Sequence, residues 1–283
     1  MNMQHIGVIG AGTMGNGIAQ TCAVAGLNVT MIDVSDAAVE RGIKALSGSL
    51  ERLVKKDKLD PARKDAALAR VHGSTDYTAL ADADIVIEAA TENLQLKMSI
   101  LRQIDALVPE ETVIATNTSS ISITQLAAMV THPRRFIGAH FFNPVPMMAL
   151  LEIIRGLQTS DATHDSMLSF AKAIGKTPIT VKNSPGFVVN RVLVPMINEA
   201  IFVLQEGLAS ADDVDTGMRL GCNHPIGPLA LADLIGLDTL LAVMQVFYDG
   251  FNDPKYRPAP LLKEMVAAGR LGRKSGAGFY SYA

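Results

Sequence analysis

The sequence predicts an α/β chain in two parts: a parallel sheet flanked by helices over residues 1–183, then an all-helical part over residues 184–283. Three observations predict this. Strand-like and helix-like runs alternate through the first half, and a G-x-G-x-x-G turn stands between the first strand and the first helix. After "KNSPG" (residues 182–186) the apolar period becomes 3.6, with no convincing strand.

The elements follow in order. "HIGVIG" is a strand, residues 13–25 a helix, "NVTMID" a strand, residues 36–56 a long helix, "DIVIEAA" a strand, residues 94–107 a helix and "TVIAT" a strand. Runs such as "GVIG" and "IVIEAA" are short and almost unbroken, as expected of strands covered on both faces. "RFIGAHFF", "ALLEIIRG" and "TPITVK" extend the same sheet, with a helix over residues 163–174 before the last. In the second part Ser184 suits a helix N-cap, Pro185 the first helical position and Gly207 the far end, while Pro195 predicts a kink between them. The helices that follow are apolar around much of their circumference, which predicts an oligomeric partner surface there.

Composition excludes several classes. Hydrophobic residues make up 48% and charged residues 19% of the 283, which is globular and not disordered. A formal net charge of -3 supplies no field for a phosphate backbone, so nucleic acid is not an expected partner. Cys22 and Cys222 match no metal or redox spacing, and no metal is expected. No basic and apolar leader is legible and no run reaches 18 uninterrupted apolar residues, so the expectation is a cytoplasmic chain with no membrane partner.

Gly10, Gly12 and Gly15, with Thr13 and Met14 between them, form the turn. The first glycine permits the tight bend, the second lets backbone approach a pyrophosphate, and the third lets helix and strand pack closely; the helix N-terminus offers free N–H donors. Asp33 ends the second strand, 23 residues beyond Gly10, where a carboxylate reaches the adenosine ribose hydroxyls. An acid there favours NAD over NADP. Alone, Asp33 serves as well to cap the next helix, since "DVSD" offers several capping residues.

Of six histidines, five lie in polar or loop-like surroundings. His140 sits in "RFIGAHFF" and Glu152 in "ALLEIIRG", with "NPVPMM" between them, so a turn brings the two together. A carboxylate inside an apolar strand is costly unless paired, and an imidazole beside it gains a fixed tautomer and a stabilised cation. The pair reads as a general base with its orienter, or as a satisfied core histidine beside a glutamate that reaches solvent.

Together "GVIGAGTMGNGIAQ", "ATNTSS", "GAHFFNPVPMMALLEI", "KNSPGFVVNRVL" and "GRKSGAGFY" resemble the L-3-hydroxyacyl-CoA dehydrogenases, and among them the short 3-hydroxybutyryl-CoA dehydrogenases. The resemblance implies a Rossmann-type NAD domain, a dimerising helical domain, a cleft between them and an acyl-CoA substrate. It implies that His140 is the catalytic base, that Glu152 pairs with it, and that Ser119 and Asn190 complete the active site. Read from the residues alone, Ser119 also suits a helix cap before "SITQLAAM", and Asn190 an ordinary hydrogen bond at a helix start. The resemblance further assigns Glu92, Lys97, Ser119, Asn143 and Lys274 to the cofactor, and Ser49 and Lys56 to coenzyme A. Beside these, Glu92 and Lys97 suit a solvated helix face and Lys274 a surface loop, while "RLVKKDK", with Arg52, Lys55, Lys56 and Lys58, is the nearest cationic run.

Overall fold

The computed structural model describes residues 3–282, and their contacts divide the chain into two compact units, Met1–Ser184 and Pro185–Ala283. The first unit is built on eight strands: β1 (His5–Ile9), β2 (Asn28–Ile32), β3 (Val71–Ser74), β4 (Ile85–Glu88), β5 (Val113–Thr116), β6 (Phe136–Phe141), β7 (Leu150–Arg155) and β8 (Thr177–Lys182). They lie in the order β3-β2-β1-β4-β5-β6-β7-β8. Helices α1 (Thr13–Val24), α2 (Asp36–Val54), α3 (Pro61–Leu68), α4 (Leu94–Leu107), α5 (Ile123–Ala127) and α6 (Asp161–Ala173) cover the sheet. This is a Rossmann-like fold, and the chain switches direction across the sheet between β1 and β4, where such folds bind their ligands.

The strands β1, β4 and β5 are buried almost throughout, which explains why they read as unbroken apolar runs. One departure is the direction of the last two strands. β7 pairs antiparallel with β6, and β8 runs parallel to β7, so the sheet is mixed. Residues 142–149 are too few for the crossover that a parallel partner requires, so the chain turns back instead. The sequence pattern also passes over α3 and β3. Only Ala67 of α3 is buried, so the helix carries no apolar stripe, and β3 is a four-residue edge strand containing Gly73.

The second unit holds α7 (Val189–Gln205), α8 (Ala211–Cys222), α9 (Pro228–Ile235), α10 (Leu237–Phe251) and α11 (Pro260–Ala267) around Ile197, Ile201, Leu240, Met244 and Phe247. The expected cap at Ser184 is corrected here. Helix α7 begins at Val189, because Gly186 (φ 72°) and Phe187 (φ 54°) adopt a left-handed backbone that a right-handed helix does not pass through. Gly207 (φ 72°) follows the last helical turn as expected, and Pro195 lies inside the helix. Among the described residues no single helix is long and apolar enough to cross a membrane; only α9 and α10 together satisfy such a test, and they are bent by 97°.

Two buried aspartates tie this unit together. Asp215 accepts hydrogen bonds from Leu229 N (2.8 Å) and Ala230 N (2.9 Å), capping α9 from outside, and from Tyr280 Oη (2.9 Å). Asp233, with no exposed surface, accepts from Phe279 N (3.0 Å), Tyr280 N (2.9 Å) and Tyr282 Oη (2.9 Å), and so fastens the last segment of chain. Burial, and then the bond to Asp215, pushes the Tyr280 hydroxyl well above the usual phenol range. Replacing Asp233 by Ala strands three donors and is expected to cost about 3 kcal/mol. Denaturant unfolding checks the value, and faster proteolysis of the last residues checks its cause.

Candidate active site

The glycine turn leaves β1 at the switch point. Gly10 takes φ 98°, and at Gly15 a side chain would collide with Gly10 O, so both positions are dictated by the protein's own backbone. Gly12 differs: a Cβ there meets nothing within 4 Å. Gly12 is also the N-cap of α1, with no side-chain cap, so the first N–H groups of a twelve-residue helix face open space. That space is a trough of about 580 Å³ whose walls include Gly12, Thr13, Asp33, Ser49, Arg52 and Asn143. Room for backbone approach, uncapped donors and a carboxylate beside the turn fit a dinucleotide.

Asp33 accepts from Ala11 N and from Val34 N, both at 2.7 Å, and so braces the turn. The capping alternative is settled by Ser35, whose hydroxyl accepts from Ala38 N and caps α2. Ser49 lines the trough beside Arg52, whereas Lys56 is exposed on the turn after α2. Met14 packs half-buried against the core.

A second cluster forms at the carboxyl ends of β5 and β6. In the β6–β7 register His140 stands directly opposite Glu152, so the two side chains share a face. His140 Nδ1 lies 2.7 Å from Glu152 Oε2, and Nε2 lies 2.9 Å from Ser119 Oγ. Glu152 has no exposed surface and His140 is 4% exposed, with the Phe142 ring 4.6 Å from the imidazole. A carboxylate only accepts, so Nδ1 carries the hydrogen, and in the neutral ring Nε2 is the acceptor for the Ser119 hydroxyl. Ser119 is not a helix cap: Ser122 holds that place on α5 and accepts from Gln125 N.

Glu92 fixes the serine from the side, its carboxylate accepting from Ser119 N (2.9 Å) and Thr118 Oγ1 (2.7 Å). Asn117 Oδ1 accepts from Phe141 N (2.9 Å) and joins the serine loop to β6. Lys97 lies deeper. It is fully buried, its ammonium paired with Glu88 Oε2 and 3.2 Å from Thr116 Oγ1, so it braces the ends of β4 and β5 and lines no solvent-facing surface. Sequence reasoning passed over Glu88, Thr116, Asn117 and Thr118, although polar residues closing two apolar strands are a visible signal. Of the histidines set aside as loop-like, His164 is in fact buried on α6, with Nε2 2.8 Å from Thr180 Oγ1.

In the second unit, Asn190 lies in the first turn of α7 and is half-buried. Lys274 is exposed and paired with Asp238 at 2.6 Å, and its hydrogen bond holds the Asp238 carboxyl below the usual carboxylate range.

Residues 5–184 match the family model of the 3-hydroxyacyl-CoA dehydrogenase NAD binding domain, and residues 186–282 match that of the 3-hydroxyacyl-CoA dehydrogenase C-terminal domain. A 3-hydroxybutyryl-CoA dehydrogenase of Clostridioides difficile is 48% identical over 98% of this chain and 99% of its own length. One of Bradyrhizobium diazoefficiens is also 48% identical, over 99% of this chain and 96% of its own. The crystal structure of (S)-3-hydroxybutyryl-CoA dehydrogenase from Ralstonia eutropha is 66% identical and superposes over 100% of both chains with a TM-score of 0.98.

Two predictions follow from the geometry. Gly12→Val is expected to weaken NADH binding about ten-fold or more with little change in thermal stability, whereas Gly15→Ala is expected to lose both, as read by fluorescence titration and melting temperature. Lys97→Met leaves the Glu88 carboxylate buried without its counter-charge and is expected to cost about 3–5 kcal/mol of stability. Adding Glu88→Leu to that variant is expected to restore only part of the loss in denaturant unfolding, because it removes the buried charge but leaves Ala90 N and Thr116 Oγ1 without their acceptor.

Proposed function

Because this chain belongs to the 3-hydroxyacyl-CoA dehydrogenase family, we propose that it interconverts (3S)-3-hydroxybutyryl-CoA and acetoacetyl-CoA with NAD, using His140 as acid and base. The single observation that carries the chemistry is the continuous line Ser119 Oγ, His140 Nε2, His140 Nδ1, Glu152 Oε2, at 2.9 Å and 2.7 Å. The four-carbon acyl group rests on the relatives that carry that substrate in their names.

NAD, when bound, accepts the hydride that leaves C3. His140 Nε2 takes the proton of the 3-hydroxyl, and the buried Glu152 carboxylate stabilises the imidazolium that results. In the reverse direction Nε2–H returns the proton to the carbonyl oxygen. The Ser119 hydroxyl, released from Nε2, donates to the substrate oxygen and holds it at the ring. Phe142 covers the imidazole and limits water there. Asn190 is assigned to the same oxygen on the sequence pattern P-G-F-V-x-N-R.

Gly10, Gly12, Thr13, Met14, Gly15, Asp33 and Asn143 are assigned to the cofactor, with Glu92 acting through the Ser119 loop and Lys97 through Glu88. Lys274 is carried as a cofactor contact, and Ser49 and Lys56 as coenzyme A contacts, on the resemblance. We also propose a homodimer through the second unit, where Val192, Leu208 and Leu220 are each more than two-thirds exposed.

NADH-linked reduction of acetoacetyl-CoA tests the assignment. His140→Ala is expected to lower kcat by about 10²–10⁴ with NADH binding kept, and Glu152→Gln to lose less. Equal turnover by wild type and His140→Ala removes His140 from the mechanism.

A further inference from the structure

The turn between β6 and β7 is short of donors. Residues 142–149 include Pro144 and Pro146, neither of which has an N–H, while every residue contributes a carbonyl. Pro144 O accepts from Met147 N (2.9 Å) and Met148 N (3.1 Å), which closes the turn on itself. Val145 O and Met148 O are met from outside, by the ammonium of Lys176, the second at 2.7 Å. A lysine carries three donors and no acceptor, which is what a carbonyl-rich turn requires.

That lysine sits in an expensive place. It is 7% exposed, and among the described residues its ammonium forms no ion pair. Burial holds the ammonium below the usual lysine range, so its charge costs the fold free energy. The backbone leaves it little freedom. Gly175 (φ 73°) follows α6, Lys176 N donates to Ala171 O (2.8 Å), and Thr177 N donates to Ala149 O (2.8 Å) where β8 joins β7. Lys176 therefore reaches the turn from a fixed base.

The turn is held from its other side as well. Val145 is 2% exposed and its side chain packs on α1 at Gly17, so the side chain meets the helix while the carbonyl meets the lysine. The same turn starts two residues after His140 and places Asn143 in the wall of the trough. We propose that Lys176 is a positioning residue for the reaction: it holds the β6–β7 turn against α1, and through the turn sets Asn143 and the His140 end of β6 relative to the glycine turn. The inference rests on the dehydrogenase reading above and adds a residue that acts through the turn. A hydride moves over a short fixed distance, so a turn that drifts by about an ångström lowers the rate without removing any reacting group.

Lys176→Met keeps the apolar stem and removes the donors. Below its melting temperature, kcat for NADH-linked reduction of acetoacetyl-CoA is expected to fall about ten-fold or more, and the Kd for NADH, read by fluorescence titration, to rise about five-fold. A merely structural lysine lowers the melting temperature and leaves both constants of the folded protein as they were. Asn143→Ala is expected to raise the NADH Kd by itself, and Lys176→Met to add less in that background than in wild type, because both act on one contact. Lys176 lines a cavity of about 540 Å³, so a small amine can reach the place vacated in Lys176→Ala. n-Propylammonium is expected to restore much of the kcat lost in Lys176→Ala, and tetramethylammonium, a cation without N–H, to restore none at equal ionic strength. Equal restoration by the two cations, unchanged kcat and Kd in Lys176→Met, a change confined to the KM for acetoacetyl-CoA, or loss of the fold in Lys176→Met overturns the proposal and leaves the dehydrogenase reading standing. No turnover of acetoacetyl-CoA by wild type overturns both.

Discussion

A carboxylate without exposed surface sits in the middle of an apolar strand, and the arrangement of the candidate active site follows from what that carboxylate pairs with. Left alone, a buried carboxylate in this strand is costly. The antiparallel register of β6 and β7 puts His140 directly across from it, on the same face of the sheet. A slip of one residue sends one side chain of the pair to the opposite face, so the pairing energy and the apolar core select the same register. The reversal of chain direction at β7, which β8 shares, is thus what lets two residues twelve apart in sequence meet at 2.7 Å.

Around this pair, carboxylates work as fixings. Glu92 holds the Ser119 amide and the Thr118 hydroxyl, and Glu88 accepts from Ala90 N (2.9 Å) and Thr116 Oγ1 (2.7 Å) while Lys97 neutralises it. Both act on the loops that follow β4 and β5, which are the loops a switch-point ligand touches. A buried ion pair is weak evidence for stability. Here it sets loop position, and the loop sets the serine that faces His140 Nε2. Preorganisation of this kind matters because a catalytic hydroxyl that wanders by an ångström loses its alignment.

Much of this was legible beforehand, for physical reasons. Buried parallel strands have to be apolar and short, and the glycine turn has to carry glycines, so β1, β4 and β5 and the turn declare themselves. His140 and Glu152 stood out because ionisable residues in apolar strands are expensive. What stayed hidden has equally physical causes. α3 and β3 bury one residue each, so they leave almost no pattern. Ser184 and Pro185 make a plausible helix start, yet the left-handed backbone at Gly186 and Phe187 delays α7 by four residues, and nothing in "PGF" states that a phenylalanine will take a positive φ. Lys97 reads as a solvated face of α4 because a lysine on an amphipathic helix is nearly always exposed; only the sheet shows the acid beneath it. The resemblance supplied roles that spacing alone left open, Asn190 and Lys274 above all.

One contact joins the glycine turn to the His140 hairpin within the first unit. At Gly17, on the buried side of α1, a Cβ would stand 2.8 Å from Val145 Cβ, so any side chain there pushes the β6–β7 turn away from the helix. That turn carries Asn143 into the trough three residues after His140. The helix that offers its N-terminus to a pyrophosphate therefore also sets how closely the His140 hairpin approaches it. The positions of the glycine turn and of His140 are not two independent adjustments of the fold. A single close-packed seam, with no room for a methyl group, holds them at one spacing, which is what a transfer between bound partners over a fixed distance demands.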